Sequence, residues 1–249
     1  MIKIYIVSLK KDNARRTNLS NQLKKLNIPF EIIDAVEGNL LDALIIDNYN
    51  KKAIYRYKRL VGPNEIGCSL SHQKVYLDII KNKIEWAIIL EDDVNVKVDF
   101  LTLIKNKIYQ FDKDNLYILG GQNGLLSKKM QQTSFFNKIE LNKTFFLEKA
   151  IKSEKYIFRT CCYMINNNVA KKLVEKFNNE FFIADDWLTL KKDKIIKHIF
   201  ISDMIDHPTD LSDSSIELER QGRQKKKIKL ISFFKTIYCY LRNFYKLGM

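Results

Sequence analysis

The chain opens on a β-branched run, Ile2 to Leu9, and then turns polar through KKDNARRTN. Leu19, Leu23 and Leu26 follow at helical spacing until Pro29, and Phe30 to Ile33 reads as a second strand. This strand–helix–strand opening matches a βαβ unit. Asn64 is placed to cap a helix over 65–81, whose apolar face is mostly Ile66, Leu70, Val75, Leu77 and Ile80. Trp86 to Leu90 is short and apolar throughout, the pattern of a central strand buried on both faces. A helix over 99–111 and an apolar strand over 116–119 follow, closed by Gly120-Gly121. Alternation around Ile139 to Leu147 predicts a hairpin. Beyond it the pattern predicts a strand over 156–165, a helix over 169–177, a short helix opening at 185–188 and a last strand over 194–201. Residues 206–220 read as polar loop. Strands alternating with helices predict an α/β domain on a mainly parallel sheet, and no internal repeat is present.

The length of 249 residues, 46% of them hydrophobic, is enough to bury a core in one large domain or two small ones. No apolar run approaches the roughly 20 residues needed to span a bilayer. Residues 1–9 read as a first strand rather than a signal peptide, so the chain is expected to fold in the cytoplasm. Of the four Cys, two are adjacent (Cys161 and Cys162) and none form a C-x-x-C pair, which argues for reduced, buried thiols. The formal charge is +14, and residues 221–249 carry eight basic and no acidic residues, leaving +6 (14 − 8) for the first 220. We therefore expect a domain over 1–220 and a separate basic tail over 221–249.

The most informative chemistry is Glu91-Asp92-Asp93 at the end of the apolar strand. Three consecutive carboxylates repel one another, and ligands of open α/β sheets sit at the carboxyl ends of strands. A divalent ion on a diphosphate would resolve the repulsion, and hard oxygens suit Mg²⁺ or Mn²⁺. In an extended chain Glu91 and Asp93 point the same way and Asp92 the other. A solvated acidic turn is the plainer alternative. Ser71 and His72 lie in the second turn of the helix before that strand, near its positive end, where anions are favoured. Adjacent helical residues diverge by about 100°, so they are not a nucleophile–base pair. A packed, hydrogen-bonded histidine is the alternative for His72.

Taken together, these blocks resemble glycosyltransferase family 25, the lipooligosaccharide glycosyltransferases that include bacterial β-galactosyltransferases. IYIVSLKKDNARR is similar to the family's opening strand and basic turn, and FEIIDAVEG to its second strand. GPNEIGCSLSHQKVY and WAIILEDDV resemble its two most distinctive blocks, and TCCYMINNNVAKKL and ADDWL its later segments more loosely. The resemblance runs in order from about residue 2 to 216. It implies a GT-A fold and transfer of a sugar from a nucleotide donor. The triplet would be the family's D-x-D, with Glu91 and Asp93 on the metal and Asp92 by the ribose or transferred sugar. Ser8, Arg15, Asp34, Ala35 and Val36 would lie along the nucleotide, with Ser71 and His72 also on the donor side. Arg15 and Arg16 could equally be solvated helix charges. Inversion at the anomeric carbon needs a carboxylate to deprotonate the acceptor, for which Asp185 and Asp186 are the candidates. Either could instead cap the helix that follows. His207 is a candidate for a late metal ligand, or an ordinary loop histidine. Ser214-Ser215-Ile216 fits the family's closing motif.

The expected activity is metal-dependent, inverting hexosyl transfer. Galactose from UDP-galactose is the expected donor sugar and a lipid-linked oligosaccharide the expected acceptor; UDP-glucose is the alternative donor. The tail, basic at its start and rich in aromatic and aliphatic residues, suits an anionic membrane surface. That places the protein peripherally at the cytoplasmic face of an inner membrane, unless the tail packs on the domain or on a partner. A nucleic-acid-binding protein is a different class raised by the pI of about 9.4. Against it, the charge concentrates in one tail and no nucleic-acid motif is present, so no nucleic-acid partner is expected. A non-catalytic scaffold of the same fold is the third reading.

Overall fold

In this computed structural model, residues 2–208 are described. The tail over 221–249 and Ser214-Ser215-Ile216 lie outside the described residues. Eight strands form one sheet: β1 (Ile2–Ser8), β2 (Glu31–Asp34), β3 (Trp86–Glu91), β4 (Leu116–Gly120), β5 (Thr133–Glu140), β6 (Phe146–Ala150), β7 (Cys162–Asn166) and β8 (Ile199–Ile205). Their spatial order is β2-β1-β3-β7-β4-β8-β6-β5. The helices are α1 (Asn13–Lys25), α2 (Ala43–Tyr57), α3 (Pro63–Lys81), α4 (Phe100–Lys105), α5 (Asn167–Asn179) and α6 (Trp187–Lys192).

The α/β expectation holds, with a mixed sheet. Pairings β1–β2, β1–β3 and β4–β8 are parallel. The other four pairings are antiparallel, because β7 enters between β3 and β4 in the reverse direction and β5–β6 close the edge as a hairpin. Strands β1, β2, β3, β4 and β8 still share one direction, so their carboxyl ends lie along one edge of the sheet.

β3 shows why a fully apolar run belongs at the centre. Ala87 and Ile89 face a core that includes residues of α3, α5 and α6, among them Val75, Leu173 and Trp187. Trp86, Ile88 and Leu90 face the opposite core, which holds Leu19 and Leu23 of α1 and Phe100 and Ile104 of α4. Period-two alternation thus buries both faces of one strand.

Several boundaries differ from the sequence reading for local reasons. Helix α3 starts at Pro63 with Gly62 as its N-cap, not Asn64. Proline suits the first helical position, and the Glu65 carboxylate returns to the Gly62 N–H at 3.1 Å. The helix expected over 99–111 breaks into α4 and a 3₁₀ turn, Ile108–Gln110. The strand expected over 156–165 forms only over Cys162–Asn166. The last strand begins at Ile199 because Lys194 adopts a left-handed conformation (φ 58°) and turns the chain first. Cys161 and Cys162 are buried and no disulfide links the described cysteines.

Candidate functional site

The carboxyl ends of β1, β2 and β3 bring Ser8, Asp34 and Glu91 to one edge. Beyond Glu91 the chain turns at Asp92-Asp93, and Asn95 pairs with Asp206 just past β8. His207 is thereby carried to the triplet. The turn also corrects the premise of an extended triplet: each carboxylate takes a different partner.

Asp92 is buried and accepts a 2.6 Å hydrogen bond from Ser8 Oγ, with Arg15 Nε 3.8 Å from its other oxygen. Burial pushes its carboxyl up to about 6, the Ser8 hydrogen bond and Arg15 pulling against it while Asp93 and Glu91 add to it. Glu91 accepts from the Thr160 hydroxyl, and its Oε1 lies 3.4 Å from His72 Nε2. Asp93 Oδ2 lies 3.2 Å from His207 Nε2. Burial pushes Asp93 up, but the hydrogen bond and charge of His207, with Arg15, hold it below the usual carboxylate value. For His207 burial works downward, and the Asp93 hydrogen bond and charge outweigh it, so its value is raised.

Asp93 Oδ1 is buried without a hydrogen-bond partner. An unpaired buried carboxylate oxygen is costly, and a cation is one of the few groups that relieves it. Hard oxygens beside an imidazole fit Mn²⁺ or Mg²⁺. A second grouping of possible donors is Cys68, His72 and Glu91, whose ligand atoms lie within 4.8 Å of one another. Its thiol suits a softer ion, and the other His72 nitrogen is engaged by Tyr163 Oη at 2.8 Å.

The remaining sequence candidates divide. Ala35 N–H donates to Ser8 O at 2.8 Å, tying the segment after β2 to the end of β1. Arg16, rather than Arg15, joins these strand ends, donating to Ser8 O at 3.0 Å and Asp34 Oδ1 at 2.8 Å. Ser71 is buried; its hydroxyl donates to Gly67 O at 2.6 Å and accepts from Val36 N at 2.8 Å, so it braces the 35–36 segment. His72 sits in a buried chain with Tyr163 and Tyr76, their hydroxyls 2.8 Å apart.

The two late aspartates have different jobs. Asp186 caps α6 through Thr189 N–H and accepts 2.9 Å from Tyr57 Oη, so both of its oxygens are used. Asp185 Oδ2 accepts from Arg159 N at 3.1 Å, and its Oδ1 has no partner among the described residues. Sequence reading missed Arg159 and the contact of Thr160 with Glu91. Arg159 is left-handed (φ 69°), donates to Gly121 O at 2.6 Å, and accepts from Trp187 Nε1 at 3.2 Å. Its guanidinium charge acts on His207.

A family model described as Glycosyltransferase family 25 (LPS biosynthesis protein) matches residues 1–189. The chain belongs to glycosyltransferase family 25, and its single α/β sheet agrees with the GT-A architecture that the resemblance implied. It is 25% identical over 244 residues to a protein of Haemophilus influenzae (strain ATCC 51907 / DSM 11121 / KW20 / Rd) named "Putative glycosyltransferase", covering 89% of this chain and 79% of that one. It is 29% identical over 126 residues to procollagen galactosyltransferase 1-B of Xenopus laevis, covering 47% of this chain and 21% of that protein. This chain therefore spans most of the first relative and about a fifth of the second. A solved glycosyltransferase involved in glycosylating the major capsid of PBCV-1 is 10% identical with a TM-score of 0.36, covering 80% of this chain and 81% of that chain.

Proposed function

We propose that this glycosyltransferase is a metal-dependent, inverting hexosyltransferase that moves galactose from UDP-galactose to a lipooligosaccharide. The observation that carries the reading is Asp93 Oδ1, buried and unpaired beside His207 at the shared end of the strands. Glu91, Asp93 and His207 would hold Mn²⁺ or Mg²⁺. Bound there, such an ion would supply charge neutralisation for a departing diphosphate. Ser8 and Arg15 hold Asp92 toward the donor's ribose or sugar, while Ser71 and His72 act from beneath by fixing Val36 and Glu91.

Asp185 is the base. As the acceptor oxygen attacks the anomeric carbon, its proton passes to Asp185 Oδ1. The bond from that carbon to the diphosphate breaks, and its electron pair leaves with UDP. General-base removal of a proton contributes typically about 10²–10⁴-fold. Residues 1–220 form the transferase domain in this reading. The 221–249 tail holds it on the anionic cytoplasmic face of the inner membrane, where a lipid-linked acceptor is presented.

The test is UDP release from UDP-galactose, UDP-glucose and UDP-N-acetylglucosamine, each with Mn²⁺ or with EDTA. Metal-dependent release from UDP-galactose, lost in Asp93→Ala, is expected. Release from UDP-glucose alone would move the assignment to a glucosyltransferase. No release, together with no UDP binding by calorimetry, would overturn the reading.

A further inference from the structure

A cavity of about 410 Å³ opens around Asp185, lined by residues that include Tyr57, Ile157, Phe158, Asp185, Trp187 and Leu188. We infer that this cavity binds the terminal sugar of the acceptor, and that the sugar is neutral; the inference rests on the transferase reading above. Its volume lies within the roughly 300–1,000 Å³ of small-molecule sites.

The wall chemistry selects the ligand class. Phe158 is 41% exposed although its neighbours Ile157 and Thr160 are buried, so it offers the cavity an open aromatic ring. The apolar C–H face of a sugar packs on such a ring. Asp185 Oδ1 is an acceptor with no partner among the described residues. Three acids, Glu154, Asp185 and Asp186, line the cavity against two cations, Arg59 and Lys155, and Arg59 donates two hydrogen bonds to Glu65, at 2.8 and 2.9 Å. A hydroxyl-rich, uncharged ligand fits better than a phosphate or a carboxylate.

Position selects the role. Phe158 lines the cavity, and Arg159 beside it is held from both sides by Asp185 and Trp187. The next residue, Thr160, donates to Glu91. Two residues of chain therefore separate the open aromatic ring from the acidic strand end. A sugar seated on Phe158 lies in the same cavity as Asp185. The left-handed Arg159 is the kink that lets one short segment face both ways.

The experiment uses the full chain with Trp86→Phe, leaving Trp187 as the reporter, and titrates methyl β-galactoside, methyl β-glucoside and methyl N-acetyl-β-glucosaminide with Mn²⁺ and UDP present. Saturable change in Trp187 emission with at least one of these glycosides is expected. It should be weakened at least ten-fold by Phe158→Ala, with the thermal midpoint recorded to show that the variant is folded. A second variant, Leu188→Phe, fills the cavity from another side and should weaken binding likewise. No saturable change up to high millimolar concentration, or binding that neither variant weakens, overturns the inference. Calorimetry with UDP alone reads the transferase proposal separately. UDP binding without glycoside binding removes only the cavity assignment, whereas loss of UDP binding removes the reading on which it rests.

Discussion

Adding one methyl group at Gly67 sets two effects against each other. Gly67 lies inside α3, where replacing glycine by alanine gains about 0.5–1 kcal/mol of helix propensity. A Cβ there would meet Val36 O at 2.7 Å, and Gly38 Cα and N at 2.9 Å, where ordinary contact begins at 3.4 Å. The helix and the 36–38 segment would have to part by about 0.7 Å, the difference between 3.4 and 2.7. Every atom in the way is backbone, so no side chain can swing aside, and the overpacking cost falls near the upper end of about 1–3 kcal/mol. Gly67→Ala should therefore destabilise by about 2 kcal/mol net, lowering the thermal midpoint by about 4–8 °C for a domain of this size. The displaced segment carries Val36 and adjoins Ala35, which the family resemblance places along the nucleotide, so UDP affinity should fall with stability. Urea unfolding followed by circular dichroism, with calorimetry of UDP, measures both. A Gly67→Ala protein as stable as the parent would refute the close approach of α3 to this segment.

Three further outcomes follow from the geometry. Asp185→Asn should lower turnover by about 10²–10⁴-fold, whereas Asp186→Asn keeps a capping acceptor and should cost far less; equal losses would contradict the division of labour drawn here. Burial pushes Asp193 up, but Lys176 Nζ at 2.6 Å and Arg56 hold it below 3.8. A lowered folded value means stability present above about pH 4 and lost as pH falls through that lowered value. Asp193→Asn should thus be less stable than the parent at neutral pH, with the gap closing on acidification; a gap that widens in acid would be the wrong sign. Deleting residues 221–249 should abolish sedimentation with phosphatidylglycerol vesicles while UDP release continues, and retained vesicle binding would count against the tail's assigned role.

The parts of this site legible in the sequence are those set by local pattern. Trp86–Leu90 and the acids after it needed only a buried strand and its end. The bracing role of Ser71 was not legible, because Val36 lies 35 residues away and meets it only once α3 crosses that segment. Helix α2 escaped notice for a different reason: Ile46, Tyr49, Ala53 and Tyr57 form its core-facing stripe, but the exposed apolar residues Leu44, Ile45, Ile54 and Tyr55 mask the period. Arg159 carries no motif, and Thr160, although it opens the TCCYMINNNVAKKL block, gives no sign of its partner. It reaches Glu91 through the pairing of β3 with β7, in which Leu90 meets Cys162. The choice between Asp185 and Asp186 depended on which way two adjacent side chains turn.

The reversed strand β7 also bears on how the chain is made. When synthesis has reached β4, β3 still lacks its partner on one side, and β4 lacks both of its neighbours, β7 and β8. Some forty residues separate β4 from β7. Until that stretch has left the ribosome, the most apolar strand of the sheet presents a row of unpaired amides and carbonyls. The nascent protein therefore passes through a sticky half-sheet, the stage at which holding chaperones or slow translation would matter most for yield.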